Sequence, residues 1–186
     1  MISLIRGYVP DYVKRYRESR DYSELRNLMF SLPIALRASI IVETGLSRGL
    51  STRIFLEAAK ILYPLNGTIV YTYDIEDSPN TRERLVALDL TMHWVFTQQD
   101  SIQGAREWSN RPGVARDIDL LYLDSDHSKT HVAAELREWG KSVRRPGGVI
   151  LVDDCLEGTG TLEAVKESEF HSVTFLDAEG MALLWT

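Results

Sequence analysis

The sequence predicts an α/β fold: a three-layer α/β/α sandwich around a mostly parallel sheet that ends in an antiparallel hairpin. Three observations predict it. Residues 118–127 (IDLLYLDSDH) and 146–154 (PGGVILVDD) each hold an apolar run too short for a helix that stops abruptly in carboxylates. Buried parallel strands behave this way where they meet solvent. Between them, Val132, Leu136, Trp139 and Val143 recur at near-helical spacing, with Ser128 placed to cap the start and Gly147-Gly148 to stop the chain. A strand, a crossover helix and a parallel strand form one right-handed unit. Finally, the runs 173–175 and 181–185 are joined through 177–180, a connection that only an antiparallel pair can use.

Composition bounds the rest. The 186 residues are read as one domain, 1–186, with 1–37 an N-terminal helical segment. Apolar runs are broken by charge well short of ~18 residues, so no membrane span is expected. Nor do residues 1–20 read as a signal peptide, because Arg6 interrupts the apolar start. Cys155 is the single cysteine, which excludes an internal disulfide and fits a reducing cytoplasm. A net charge of -6 without a dense basic block argues against nucleic acid as a partner and for small molecules or metals.

In chain order, 10–37 reads as a helix with Tyr12, Tyr16, Tyr22, Leu25, Leu28 and Met29 among charges, broken at Pro33. Such a segment either lies over a pocket or packs its own stripe as a solvated helix. Residues 39–43 form a strand, and 44–52 turn into a helix carrying Ile54, Phe55, Ala58, Ile61 and Leu62. Gly45 and Gly49 allow a tight turn in which backbone nears a ligand with no Cβ in the way. Ser51 and Thr52 stand at the helix start, where free N–H groups favour an anion such as a carboxylate. The turn is not a dinucleotide fingerprint, because Ser47 replaces the second glycine and the spacing differs.

The second strand, 68–74, ends in Asp74, roughly 20 to 30 residues beyond the glycine turn, where ribose-binding acids sit in nucleotide folds. A turn cap is an equal reading of that acid. Ser78-Pro79 opens a helix through Leu85 and Leu88 in the favoured cap-then-proline order. A third strand, 93–97, leads to Gln98, Gln99 and Asp100, with a helix from Ser101. These polar side chains either read an adenine edge or cap the helix. Arg111-Pro112-Gly113 is a surface turn, and after Asp154 a glycine-flanked turn leads to a helix through Leu162 and Val165.

In open sheets of this kind ligands sit outside the carboxyl ends of the strands, so Asp124, Asp126, His127, Asp153 and Asp154 converge on one edge. Four carboxylates in one crevice repel each other unless something positive is bound. The reading is a divalent cation with oxygen ligands.

Together these stretches resemble the class I S-adenosylmethionine-dependent methyltransferases, from Ile40 to Thr186. Within them the chain looks like the metal-dependent small-molecule O-methyltransferases, the group of catechol O-methyltransferase and the macrocin- and aminocoumarin-type sugar enzymes. The resemblance lies in ETGLSRGLS at 43–51, Asp74, Gln99-Asp100, LDSDHS at 123–128 and GGVILVDD at 147–154. It implies a Rossmann-like fold with a seven-stranded sheet. It also implies that Glu43, Gly45 and Gly49 lie by the cofactor, Ser51 binds its methionine carboxylate, Asp74 its ribose and Gln99 or Asp100 its adenine. Asp124, Asp153 and Asp154 match the family's metal ligands, with Asp124 also near the cofactor's amino group.

Two residues compete for the proton-abstracting role. Asp126 matches the base proposed in some sugar enzymes, and His127 stands where catechol O-methyltransferase has a lysine and related sugar enzymes a histidine. An imidazole with a pKa near ~6.5 is the better base at neutral pH. The expectation is a Mg²⁺-dependent methyl transfer from S-adenosylmethionine to a hydroxyl of a sugar or catechol-like diol, oxygen ligands favouring Mg²⁺ over zinc. Two other readings stand beside it: an NAD-type oxidoreductase, and a non-catalytic cofactor- and metal-binding module. Small enzymes of this group often pair, so a homodimer is expected.

Overall fold

The structure, a computed structural model, describes residues 24–108, 117–176 and 180–186. The tyrosine-rich start of the expected N-terminal helix, the turn at 111–113 and most of the hairpin connection lie outside the described residues. The first described helix, α1 (Glu24–Leu36), corrects one expectation: it runs through Pro33 instead of breaking there. Only the last turn follows the proline, so a single backbone bond is forfeited. The helix closes where Arg37 enters the left-handed region (φ 51) and the Ala38 N–H reaches back to the Pro33 carbonyl at 3.0 Å.

Seven strands follow: β1 (Ile40–Thr44), β2 (Ile69–Asp74), β3 (Trp94–Gln98), β4 (Leu120–Leu123), β5 (Val149–Asp153), β6 (His171–Phe175) and β7 (Met181–Trp185). They form one sheet in the order β3-β2-β1-β4-β5-β7-β6, parallel except for β7, which runs antiparallel to both β5 and β6. The connecting helices are α2 (Leu50–Asn66), α3 (Pro79–Ala87), α4 (Ser101–Trp108), α5 (Lys129–Trp139) and α6 (Gly160–Glu167). The mostly parallel sheet, its antiparallel end and the flanking helices are those the sequence predicts. Among the described residues no helix is long and apolar enough to cross a membrane.

Strand alternation sorts the core into two layers. Ile41, Val70, Leu120 and Leu151 face the layer built with Leu25 and Met29 of α1, Ile54 and Phe55 of α2 and Leu85 of α3. Val42, Leu121, Leu123, Ile150 and Val152 face the layer with Trp108 of α4, Val132 and Trp139 of α5 and Leu162 of α6. The same parity sets the functional row. Glu43 pairs with Thr72 on one side and Tyr122 on the other, and Tyr122 pairs with Leu151. On the α1–α2 face this makes one line across the carboxyl edge: Asp74, Glu43, Tyr122 with Asp124 two residues on, and Asp153. The order reverses between β1 and β4, and the crevice there is where a ligand meets such a sheet.

Candidate active site

The turn after β1 is shaped by close approaches within the chain. Gly45 takes φ +90, and a Cβ there would collide with the Asp124 carbonyl at the end of β4. Gly49 takes φ +69, and its Cβ would collide with the Thr81 methyl. Both glycines are therefore demanded by protein packing, whatever ligand the turn meets. Asp74 fastens the same turn: its Oδ2 accepts the Leu46 N–H at 2.6 Å and the Ser47 N–H at 3.3 Å, while Oδ1 accepts the Glu76 N–H at 2.9 Å.

Beneath the turn, Glu43 is fully buried. Its Oε2 accepts the Thr52 hydroxyl at 2.7 Å and the Thr72 hydroxyl at 2.9 Å, and among the described residues Oε1 has no hydrogen-bond partner. Burial pushes the carboxyl up to about 7, against the lowering influence of the neighbouring Ser51, Thr52 and Thr72 hydroxyls. At the β3 end, the Asp100 Oδ1 accepts the Gln103 N–H at 2.9 Å, the bond of a helix cap. The Gln99 N–H donates to the Asp74 carbonyl at 2.8 Å, which ties the β2 and β3 ends together.

The acids of β4 and β5 meet through two bridging side chains. His127 spans Asp124 and Asp154, with Nδ1 2.7 Å from Asp154 Oδ2 and Nε2 3.4 Å from Asp124 Oδ1. Tyr122 spans the other pair, its hydroxyl 2.7 Å from Asp153 Oδ2 and 3.3 Å from Asp124 Oδ2. One ligand atom each from Asp124, His127 and Asp154 lies within 4.8 Å of the others. Neighbours on a strand point to opposite faces, yet Asp154 joins this group, while Asp153 stands outside it and meets Asp124 through Tyr122. Asp154 escapes that alternation by leaving the strand with φ 54, a left-handed turn that aspartate tolerates better than most residues.

These environments set the protonation pattern. Burial raises Asp124 above the usual carboxylate range, and burial with the Asp124 charge pushes Asp153 up to about 7. The hydrogen bond to Asp124 raises His127 to about 8, burial opposes it, and the Asp154 charge adds to the rise. An imidazolium thus stands between two carboxylates at neutral pH, where the chemistry of the donors suits a cation. Asp126 differs: it is exposed, its Oδ1 accepts the Ser128 N–H at 2.7 Å, and the Ser128 bonds hold it below its ordinary value. That bond starts α5, while the Ser128 side chain, expected as the cap, makes no capping bond.

A cleft of about 200 Å³ opens over this row. Its walls are Leu25, Arg26 and Met29 of α1, Arg48, Gly49 and Ser51 of the glycine turn, and Tyr122, Asp124, Asp153 and Met181 of the sheet. Helix α1 therefore covers a pocket, the first of its two readings.

Among families of known proteins, one described as a methyltransferase domain matches residues 42–155. The chain belongs to that methyltransferase family. No curated protein sequence matches it. Its fold is similar to that of the O-methyltransferase TomG from Streptomyces achromogenes, involved in tomaymycin synthesis and solved with SAM, at 16% identity and TM-score 0.74 over 92% of this chain and 85% of that one. It is also similar to an O-methyltransferase from Bacillus cereus solved with SAH, at 15% identity and TM-score 0.70 over 100% and 95% of the two chains. At such identities the likeness is one of fold, and that fold is the class I one the resemblance implied.

In this methyltransferase the structure adds residues that the sequence did not single out. Tyr122 reads as one more apolar residue of a buried strand, and only its place between two acids reveals its hydroxyl. Arg26, which no motif marks, and Arg48, inside the glycine turn but assigned no role there, also line the cleft. His131 joins Ser101 at the start of α4 at 3.2 Å and Ser125 in the loop after β4 at 3.1 Å. Ser125 in turn donates to buried Glu135 at 2.8 Å. Cys155 is a small buried side chain: burial pushes its thiol up to about 12, far from a metal-binding thiolate.

Proposed function

We propose that the protein is a Mg²⁺-dependent, S-adenosylmethionine-dependent O-methyltransferase acting on a hydroxyl of a small molecule, a sugar or catechol-like diol. The observation that carries this reading is the linkage of Asp124 to His127, which also meets Asp154, and through Tyr122 to Asp153, with Asp124 and Asp153 lining the cleft beside the glycine turn of a methyltransferase-family chain. Two neighbouring acceptor hydroxyls can chelate a dication held there, hence the diol.

In this reading the cofactor supplies a methyl group on a sulfonium centre, and the dication, a Lewis acid, lowers the pKa of the acceptor hydroxyl. Ser51, at the start of α2, receives the methionine carboxylate. Glu43 supports that helix start through Thr52 and keeps Oε1 for the cofactor's ammonium. Asp74 takes the ribose while holding the turn, and Gln99 is favoured over Asp100 for the adenine, since Asp100 caps α4. Asp124, Asp153 and Asp154 hold the dication.

His127 is the base. It is charged at neutral pH only because the Asp124 and Asp154 carboxylates favour its proton. Once those charges are matched by a dication, the ring returns toward its ordinary range and takes the acceptor's proton near pH 7. Asp126 starts α5 and stays ionised, so it orients and does not abstract. A homodimer of one-domain subunits in the cytoplasm completes the reading.

The test is methyl transfer from labelled S-adenosylmethionine to a panel of catechols and sugar diols, with and without chelator. Turnover should need Mg²⁺ and vanish in Asp153→Ala. Full turnover in excess chelator removes the metal from the mechanism. Cofactor binding with no transfer to any acceptor favours the non-catalytic module, and NAD binding in place of S-adenosylhomocysteine favours the oxidoreductase.

A further inference from the structure

Tyr122 occupies a position that packing alone would give to phenylalanine. Its ring is buried in β4 and meets Phe55 of α2 edge-on, with centroids 5.3 Å apart. A hydroxyl on that ring must find a partner, because a buried O–H left unbonded is costly. Its one proton is shared between two acceptors, in a short bond to Asp153 Oδ2 at 2.7 Å and a long contact with Asp124 Oδ2 at 3.3 Å. A phenol carries its one proton at neutral pH, so this hydroxyl is the donor in both contacts.

The bridge answers a specific difficulty. Asp124 and Asp153 project from adjacent parallel strands onto one face, and two carboxylates so placed repel. Bound on Oδ2, each is turned in a fixed sense about its Cβ–Cγ bond. For Asp124 the other oxygen, Oδ1, is the one that faces His127, 3.4 Å from its Nε2. We propose that Tyr122 is a positioning residue of the cation site: its hydroxyl holds one oxygen of Asp153 and of Asp124 so that the other oxygen of each is left for a divalent cation. This rests on the Mg²⁺ reading above and assigns within it a residue that makes no contact with the ion itself. Partners of this kind orient ligating side chains, and losing one weakens metal binding by about 10- to 100-fold.

Tyr122→Phe keeps the ring against Phe55 and removes only the oxygen. Mn²⁺ binding followed by electron paramagnetic resonance, at one pH and in the presence of S-adenosylhomocysteine, should give a dissociation constant about 10- to 100-fold higher than wild type. Metal-free S-adenosylhomocysteine affinity should stay within about twofold of wild type, and the lost methyl transfer should return as Mn²⁺ is raised, a pattern a merely structural residue does not give. Tyr122→Leu, also without the hydroxyl, repeats the test if the phenylalanine variant folds poorly. Equal Mn²⁺ affinity in wild type and a folded hydroxyl-less variant overturns the role of Tyr122 and leaves the Mg²⁺ reading intact. Failure of wild type itself to bind Mn²⁺ overturns both.

Discussion

Glu43 is the acid least suited to its surroundings. Fully buried with its carboxyl at about 7, it binds a proton in the folded chain at pH values where the unfolded chain has lost one, between about 4.5 and 7. Its contribution is therefore fully present below about pH 4.5 and is lost as pH rises to about 7. Above that, a constant cost on the order of 3 kcal/mol remains. Asp153, also raised to about 7, acts in the same direction. The metal-free protein should melt at a lower temperature at pH 8 than at pH 5.5, and Glu43→Gln should flatten that slope while weakening S-adenosylhomocysteine binding. Calorimetric melts across this range check the first part and titration calorimetry the second. The two candidate bases separate at this scale too. His127→Gln should lower turnover by about 100- to 10,000-fold. Asp126→Asn should cost little turnover and only slightly lower the melting temperature, through the start of α5.

At the scale of elements, the turn between β1 and α2 is where the two halves of the sheet lock together. Gly45 lets the turn sit against the Asp124 carbonyl, and Asp74 closes it from β2. Gly45→Ala demands both a side chain where backbone already stands and a φ of +90. It should destabilise by several kcal/mol and abolish cofactor binding, read as a lost or strongly shifted melt and a flat calorimetric titration. The strand–helix–strand unit from β4 to β5 was legible in the sequence because short apolar runs that stop in acids mark where a buried parallel strand surfaces. The hairpin was legible from its short connection. Pro33 misled because a proline's effect depends on how many residues follow it before the helix ends. Which neighbours would share a face was hidden, since strand register joins residues about 30 to 80 positions apart, as with Glu43, Thr72 and Tyr122. The bridging hydroxyl of Tyr122, the burial of Glu43 and the left-handed turn that frees Asp154 all follow from that register or from local geometry, and none leaves a mark in composition or periodicity. His131 shows the same gap: its partners come from the start of α4 and the loop after β4.

For the whole molecule, the sheet order brings the turn after β1, the ends of β4 and β5 and the start of α2 to one cleft, with α1 above it. A negatively charged chain thereby concentrates its acids where a dication and a cationic cofactor are expected, and the charge balance of the cleft depends on both. Mg²⁺ together with S-adenosylhomocysteine should raise the melting temperature at pH 8 by more than either alone, because the metal relieves the repulsion that the buried acids carry there. The most direct measurement is a crystal grown with Mn²⁺ and S-adenosylhomocysteine, with anomalous diffraction collected for the metal. The account predicts a single strong peak within coordination distance of Asp124, Asp153 and Asp154, beside the cofactor's sulfur. A fully bound cofactor with no anomalous peak at these side chains, at a saturating Mn²⁺ concentration, would contradict it.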